Sequence, residues 1–331
     1  MADGTGIKKY FGLILKVSIS AVLLIFLFRR IDFQKSLFYI RTVNVAYFIY
    51  ALTLFLIILF LGLLRWNILL KTLKHDLSFG RIFVSFCGGL FFNTFLPSSI
   101  GGDIARAVDL SLHTKDASSI MATVFLDRLF GFVGLVLVAF FGFFLSYRYG
   151  ITEDTKLLLI ILMMTLLLCA IFLVLFSKRA FLLFHTVIPF KFLKDFLEKF
   201  HQSCYVFRFQ KKALAQTFVL SVLIQGGFSF VMYFIGMSLG ISAHIVYYLV
   251  FIPIVSSISI LPISIGGLGV RDNAAVVLFS RIGVAADRVV AMTLLSFAFL
   301  LFVGLIGGGI YGFALYSRRI QRDTKDALSG S

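Results

Sequence analysis

Residues 96–106 read Leu-Pro-Ser-Ser-Ile-Gly-Gly-Asp-Ile-Ala-Arg, and residues 261–271 read Leu-Pro-Ile-Ser-Ile-Gly-Gly-Leu-Gly-Val-Arg. Seven of eleven positions agree in register, 165 residues apart, and the copies use two of the chain's four prolines. Each copy interrupts an apolar region, 81–110 or 245–280, near its middle. The arms on either side hold about 15 to 17 residues, short of the roughly 20 that cross a bilayer as helix. Each region therefore predicts a hairpin of two half-helices. A chain break at membrane depth is tolerated only inside protein or beside a water-filled cavity.

Working outward from the two breaks, six segments read as complete spans: about 10–28, 45–70, 118–146, 157–176, 213–239 and 286–316. Each is apolar around its whole circumference, and without the alternating strands of a barrel only helix satisfies the backbone in lipid. The expected fold is an all-α integral membrane protein with about six full transmembrane helices and two re-entrant helical hairpins. Three complete spans separate the hairpins, so the copies point in opposite directions. That is an inverted repeat, the build of many transporters. The chain 1–331 reads as one membrane domain, with half one at about 45–146, half two at about 213–316, and a basic joining segment at 177–212.

Composition agrees. Of 331 residues, 60% are hydrophobic and 14% charged, where a soluble domain carries about 25% charged. The net charge of +16 sits in short stretches between apolar runs. It reads as topology and as attraction to anionic lipid headgroups, not as nucleic-acid binding. The segment 177–212 holds eight Lys and Arg against Asp195 and Glu198, which places it in the cytoplasm. The tail with Arg318, Arg319 and Arg322 follows, and counting back puts both termini inside. Arg29, Arg30, Lys35 and Arg41 then fall outside, against the same rule. Lys8 and Lys9 precede an apolar run as in a signal peptide. Lys16 interrupts that run and no small-residue cleavage site follows, so it reads as a retained first span. Within the basic segment, Phe190, Leu193, Leu197 and Phe200 share one helical face and Lys191, Lys194, Asp195, Glu198 and Lys199 the other. An interfacial helix and a helix docked on the bundle are equally compatible with this pattern.

Cys87, Cys169 and Cys204 are isolated and read as buried structural thiols, and the five His residues form no ligand pattern. No metal and no cofactor is expected. Motifs of zinc proteases, serine hydrolases and P-loop enzymes are absent from the sequence.

The hairpin tips carry the chemistry. Gly101-Gly102 and Gly266-Gly267 let another backbone or a ligand approach closely, while Ser99 and Ser264 are placed to cap the second arms. A helix N-terminus with bare N–H groups attracts anions, and Arg106 and Arg271 add a cation one turn on. Tight helix packing explains the glycines as well, and Asp103 with Arg106 can be a simple i,i+3 pair. Asp127 and Arg128 lie roughly 14 Å inside the span 118–146. Charges at that depth face a partner or a cavity. Adjacent helical residues do not face each other, so each needs its own partner: Arg106 or Arg271 for Asp127; Asp103, Asp109 or a lipid phosphate for Arg128. Asn93 and Thr94 admit capping, helix contact or ligand binding.

The run Asn93-Thr94-Phe95-Leu96-Pro97-Ser98-Ser99-Ile100-Gly101-Gly102-Asp103-Ile104-Ala105-Arg106 resembles the first signature of the flippase-like membrane domain of lysylphosphatidylglycerol synthases, the UPF0104 family. Phe125 to Gly131 resembles its next signature. Leu261 to Asp272 resembles the third, where many members carry Glu at the position of Asp272. The resemblance implies translocation of an anionic phospholipid or a polyprenyl-phosphate-linked lipid between leaflets. It extends the expected lipid site to Asp103, Asp127, Arg128 and Asp272, in a bacterial or archaeal-type plasma membrane. In the full synthases a soluble C-terminal domain transfers the aminoacyl group. Here the sequence ends about fifteen residues after the last span, so no lysyltransferase activity is expected. The partners expected are membrane lipids, with a homodimer left open and no nucleic acid. A second class remains, a non-transporting partner that presents lipid to, or anchors, a lipid or glycan biosynthesis enzyme.

Overall fold

The computed structural model describes residues 38–73, 77–95, 100–151, 155–177, 198, 200–205, 207–260 and 269–329, and among these there is no strand. Its main helices are α1 Val45–Thr72, α2 Phe79–Phe95, α3 Gly101–Thr114, α4 Ala117–Arg148, α5 Thr155–Phe176, α6 Lys211–Ser238, α7 Ile245–Ile260, α8 Val270–Ser280 and α9 Ala286–Ser329. Among the described residues, α1, α4, α5, α6 and the part of α9 over Ala286–Ser317 are long and apolar enough to cross a membrane. The protein is an all-α integral membrane protein. Five expected spans are present within a few residues of their anticipated limits. The sixth, 10–28, lies outside the described residues, as does most of the helix anticipated at 189–200.

Local chemistry sets the helix ends. The Asn44 side chain accepts the Ala46 and Tyr47 N–H groups at the start of α1. Asp116 does the same for Ser119 at the start of α4, at 3.1 Å. At the end of α6, Gly240 takes φ +72°, and the Ile241 N–H reaches the Gly236 carbonyl at 2.9 Å. That is the glycine-terminated cap in which only a residue without Cβ is unstrained.

Both interrupted regions are pairs of short helices. The first pair, α2 and α3, breaks between Phe95 and Gly101; the second, α7 and α8, breaks between Ile260 and Val270. The first arm of each pair crosses to the other part of the chain: α2 packs on α9, and α7 packs on α4. The remaining major contacts are α1 on α6, α4 on α6, α3 on α4 and α8 on α9. Small residues make the crossings close, as expected where lipid supplies no hydrophobic drive between helices. A Cβ on Gly307 of α9 would stand 2.7 Å from the Cys87 carbonyl of α2. On the other crossing, Pro253 inside α7 has no N–H for the Leu249 carbonyl four residues back. Gly142 of α4 backs onto that same carbonyl, so closely that a Cβ there would stand 2.9 Å from the oxygen.

Beyond the basic segment the chain returns to the bundle. Cys204 and Phe207 are fully buried in one cluster with Leu69, Leu126, Leu129 and Leu168, and Phe200 meets the ring of Phe125 edge-on at 5.3 Å. Of the cysteines expected to be buried, Cys87 and Cys204 are, while Cys169 is exposed on α5. Its position on the circumference of a span simply turns outward.

Candidate functional site

Five charged side chains from α1, α3 and α4 form one alternating series. Arg128 Nε donates to Asp103 Oδ2 at 2.5 Å. Arg106 Nη2 bridges Asp103 Oδ1 and Asp127 Oδ2, both at 2.9 Å. Arg65 Nε reaches Asp127 Oδ1 at 2.7 Å, and its Nη1 donates to Ser221 Oγ at 3.0 Å. Asp103, Arg106 and Asp127 are about 5% exposed, Arg65 8%. Arg128, with 46% of its side chain exposed, stands at the outer end of the series. Three guanidinium groups face two carboxylates, so these five side chains together carry one positive charge.

The local sequence explains the placement. Gly102 allows α3 to lie against α2 so closely that a Cβ there would run into the Gly89 carbonyl and Asn93. The Ser85 hydroxyl fixes the second turn by donating to the Arg106 carbonyl at 3.1 Å. Asp103 and Arg106 are thereby held on the side of α3 that meets α4. The Arg106 guanidinium then lies over the Trp66 ring, 4.5 Å from its centroid. Such a cation–π seat suits a charge removed from water. The Arg106 Nε is buried with no hydrogen-bond partner, so part of its donor fork is unspent.

The series lines a cavity of about 200 Å³, with Asn93 and Gln225 also on its wall. Its lining is mixed, with polar groups from α1 to α4 and α6 and apolar side chains such as Phe86 and Leu135. An anion entering it meets a net positive wall and a half-exposed arginine at the rim. A strongly charged guest stripped of water is stable there only if Arg106 or Arg128 replaces its lost hydration.

The expected site residues divide into groups. Asp103, Arg106, Asp127 and Arg128 are brought together, and Gly101 and Gly102 open the helix that carries two of them. Ser99, Ser264, Gly266 and Gly267 lie outside the described residues. The N-cap of α3 is Ile100. Its first-turn Gly102 N–H is taken at 3.0 Å by Asn93 Oδ1 from the preceding arm, so the donor expected to be bare is already satisfied. Arg271 and Asp272 do not line the Arg106 cavity. Asp272 Oδ2 accepts the Gly269 N–H at 3.0 Å, and Arg271 contacts Asp272 at 3.3 Å and the Thr293 carbonyl of α9 at 3.4 Å. The cause is register. Helix α8 begins only at Val270, so Arg271 is its second residue, whereas Arg106 is the sixth of α3. Equal spacing from the glycines therefore becomes unequal position on the helix.

Sequence reasoning missed Arg65, the second cation on Asp127. The signal was present: a lone cation inside a long apolar run asks for a partner. It also left Asp109 as a candidate for Arg128. Asp109 pairs instead with Arg81 Nη2 at 3.0 Å, with the Tyr311 hydroxyl 3.5 Å away, a clamp tying the first hairpin to α9.

The chain has relatives among known proteins. A UPF0104 membrane protein of Pyrococcus horikoshii is 23% identical over 331 aligned residues, which cover 92% of this chain and 96% of that protein. The family described as lysylphosphatidylglycerol synthase TM region matches residues 13–308, which include both interrupted regions and the whole charged series. The chain belongs to that lysylphosphatidylglycerol synthase transmembrane-region family.

Proposed function

We propose that this protein moves a phosphate-bearing anionic lipid, a phospholipid or a polyprenyl-phosphate-linked carrier, between the leaflets of a bacterial or archaeal-type plasma membrane. The observation that carries the reading is an alternating charged series beside a cavity, its four buried members balanced and its surplus cation, Arg128, half-exposed at the rim. The unspent Nε of Arg106 and the exposed fork of Arg128 are suited to phosphate oxygens. In this reading the headgroup crosses through protein while the acyl chains stay in lipid.

Motion of one half against the other supplies access from both sides. Support comes from the packing. Exchange α1 with α6, α2 with α7, α3 with α8 and α4 with α9, and the contacts largely map onto one another: α2 on α9 becomes α7 on α4, and α3 on α4 becomes α8 on α9. An inverted pair of halves, 45–146 and 213–316, has this property. Arg271 and Asp272, pinned to α9 here, are then the counterpart station of the second half. Both termini lie in the cytoplasm, by the placement of positive charge.

Reconstitution with fluorescent phosphatidylglycerol, read by dithionite quenching of the outer leaflet, tests the reading. Arg128→Gln is the variant of choice, because Arg128 is half-exposed and the buried Asp103 keeps its bond to Arg106 when the Arg128 charge is removed. The expected result is translocation reduced several-fold with monodispersity unchanged. Parental translocation by folded Arg128→Gln and Arg106→Gln proteins refutes the site. Background-level leaflet exchange in parental vesicles refutes transport itself.

A further inference from the structure

A larger cavity lies elsewhere. It is an apolar groove of about 830 Å³ between α4, α6 and α7, walled by side chains such as Leu137, Phe141, Val222, Phe230 and Leu249. Its volume is within the roughly 300–1,000 Å³ of ordinary ligand sites. At one end it meets a second, polar cavity of about 500 Å³, and Ile151 and His244 line both. Ser242, Tyr247 and Arg281 line the polar one.

The junction has the chemistry of a headgroup level. Tyr149 lines the groove there and is 68% exposed, in keeping with tyrosines at the membrane–water interface. His244 Nδ1 accepts the Val246 N–H at 3.3 Å. The neutral ring therefore carries its proton on Nε2, as a donor. The two cavities together form one amphipathic slot, apolar along the helices and polar at the mouth. Its mouth is far from the Arg106 series, since Asp127 to Arg148 covers 21 residues of α4, about 32 Å of helix, while its apolar inner end, at Leu137 and Gly226, approaches the Arg106 cavity at Leu135 and Gln225.

We propose that this slot is a binding site for one anionic glycerophospholipid, its acyl chains lying in the α4–α6–α7 groove and its phosphate meeting Arg281, Ser242 and His244 at the mouth. The site does not depend on translocation. It holds a headgroup at the mouth, near the C-terminal end of α4, whether or not the lipid has crossed.

The test uses the full chain in phosphatidylcholine vesicles with a trace of phosphatidylglycerol carrying a diazirine in its acyl chain. After irradiation, crosslinks are mapped by mass spectrometry. They are expected at Leu137, Phe141, Val222 and Phe230 well above the level at Leu166 and Leu173, which are exposed on α5. Unlabelled phosphatidylglycerol should compete better than phosphatidylcholine. Arg281→Gln should cut that preference about fivefold, the weight of one basic residue near anionic lipid. Gly226 lines the groove, and a Cβ there meets only Val138 Cγ2, at 3.9 Å, so Gly226→Leu should fill the groove and remove the crosslinks.

Equal labelling of α5 overturns the proposal in favour of ordinary boundary lipid. Equal competition by the two lipids overturns the headgroup assignment. Displacement by glycerol phosphate alone means that the mouth takes free phosphate and the lipid assignment fails. Labelling that survives in Arg106→Gln, with transport lost, keeps this inference apart from the fate of the translocation reading.

Discussion

Replacing Asp127 by Asn tests whether the charged series is held by electrostatics. The carboxylate accepts Arg65 Nε at 2.7 Å and Arg106 Nη2 at 2.9 Å, and is 5% exposed. The amide keeps the shape but turns one acceptor into a donor aimed at a guanidinium. Removing one member of a buried ion pair costs about 3–5 kcal/mol, mostly as the penalty of the charge left behind. Arg106 retains Asp103, while Arg65 retains the Ser221 hydroxyl, a poor substitute for a carboxylate. Asp127→Asn should therefore destabilise within that range. Arg65→Gln alone leaves Asp127 with Arg106 and should cost less. In the double variant the two defects overlap, and the coupling energy should reach about 1.5–3 kcal/mol, the upper part of the span for residues in direct contact. Unfolding in mixed micelles with increasing dodecyl sulfate reads these values through Trp66, the single tryptophan, fully buried against Arg106. A cost for Asp127→Asn below about 0.5 kcal/mol, the level of an ordinary surface change, would refute the reasoning, as would additive single variants.

Gly102→Ala should disrupt the first hairpin, because its Cβ collides with the Gly89 backbone; a cost of about 1–3 kcal/mol is expected for such overpacking, and an unshifted dodecyl sulfate midpoint contradicts it. Single cysteines at Thr114 and Ser280 in a cysteine-free background should label with an impermeant maleimide from opposite faces of the membrane; labelling from one face sinks the inverted arrangement. Burial pushes the Cys204 thiol up to about 12, against about 8.5 in an unfolded chain. The unfolded state thus ionises first, and the contribution of this thiol to stability is whole below pH 8.5 and falls as the pH rises above it. At pH 8 Cys204 should alkylate only after denaturation; equal rates in native and denatured protein would exclude the buried position.

Much of this molecule was readable from residue order because lipid restricts the choices. An apolar run of 20 residues has one available conformation, so α1, α4, α5, α6 and α9 followed from length alone. The pairing of Asp103 with Arg106, and of Asp127 and Arg128 with partners on another helix, followed from the cost of buried charge. The break points followed from Pro97, Pro262 and the glycine pairs. Three-dimensional register did not. Whether Arg271 stands on the second or the sixth residue of its helix depends on where α8 begins, and that is set by Gly269 taking φ +79° with Asp272 holding its N–H. The motif match of Gly-Gly-x3-Arg carries no trace of it. Arg65 was missed differently: its pairing needs α1 and α4 side by side, a relation that no local pattern encodes.

The crossed arms dictate an order of assembly. Helix α2 finds its closest neighbour in α9, through Gly88 against Tyr311 and Gly307 against the Cys87 carbonyl. Synthesis runs from the N-terminus, so α3 can cover one side of α2 at once, but the side that meets α9 stays open until nearly the whole chain has emerged. Helix α7 faces no such delay, since α4 is already in place. The first hairpin is therefore the last to lock, and the lock is α9. Nascent chains cut before α9 should leave the α2 glycine face open to other small-residue helices and to quality-control proteases, while chains carrying α9 should close it at once.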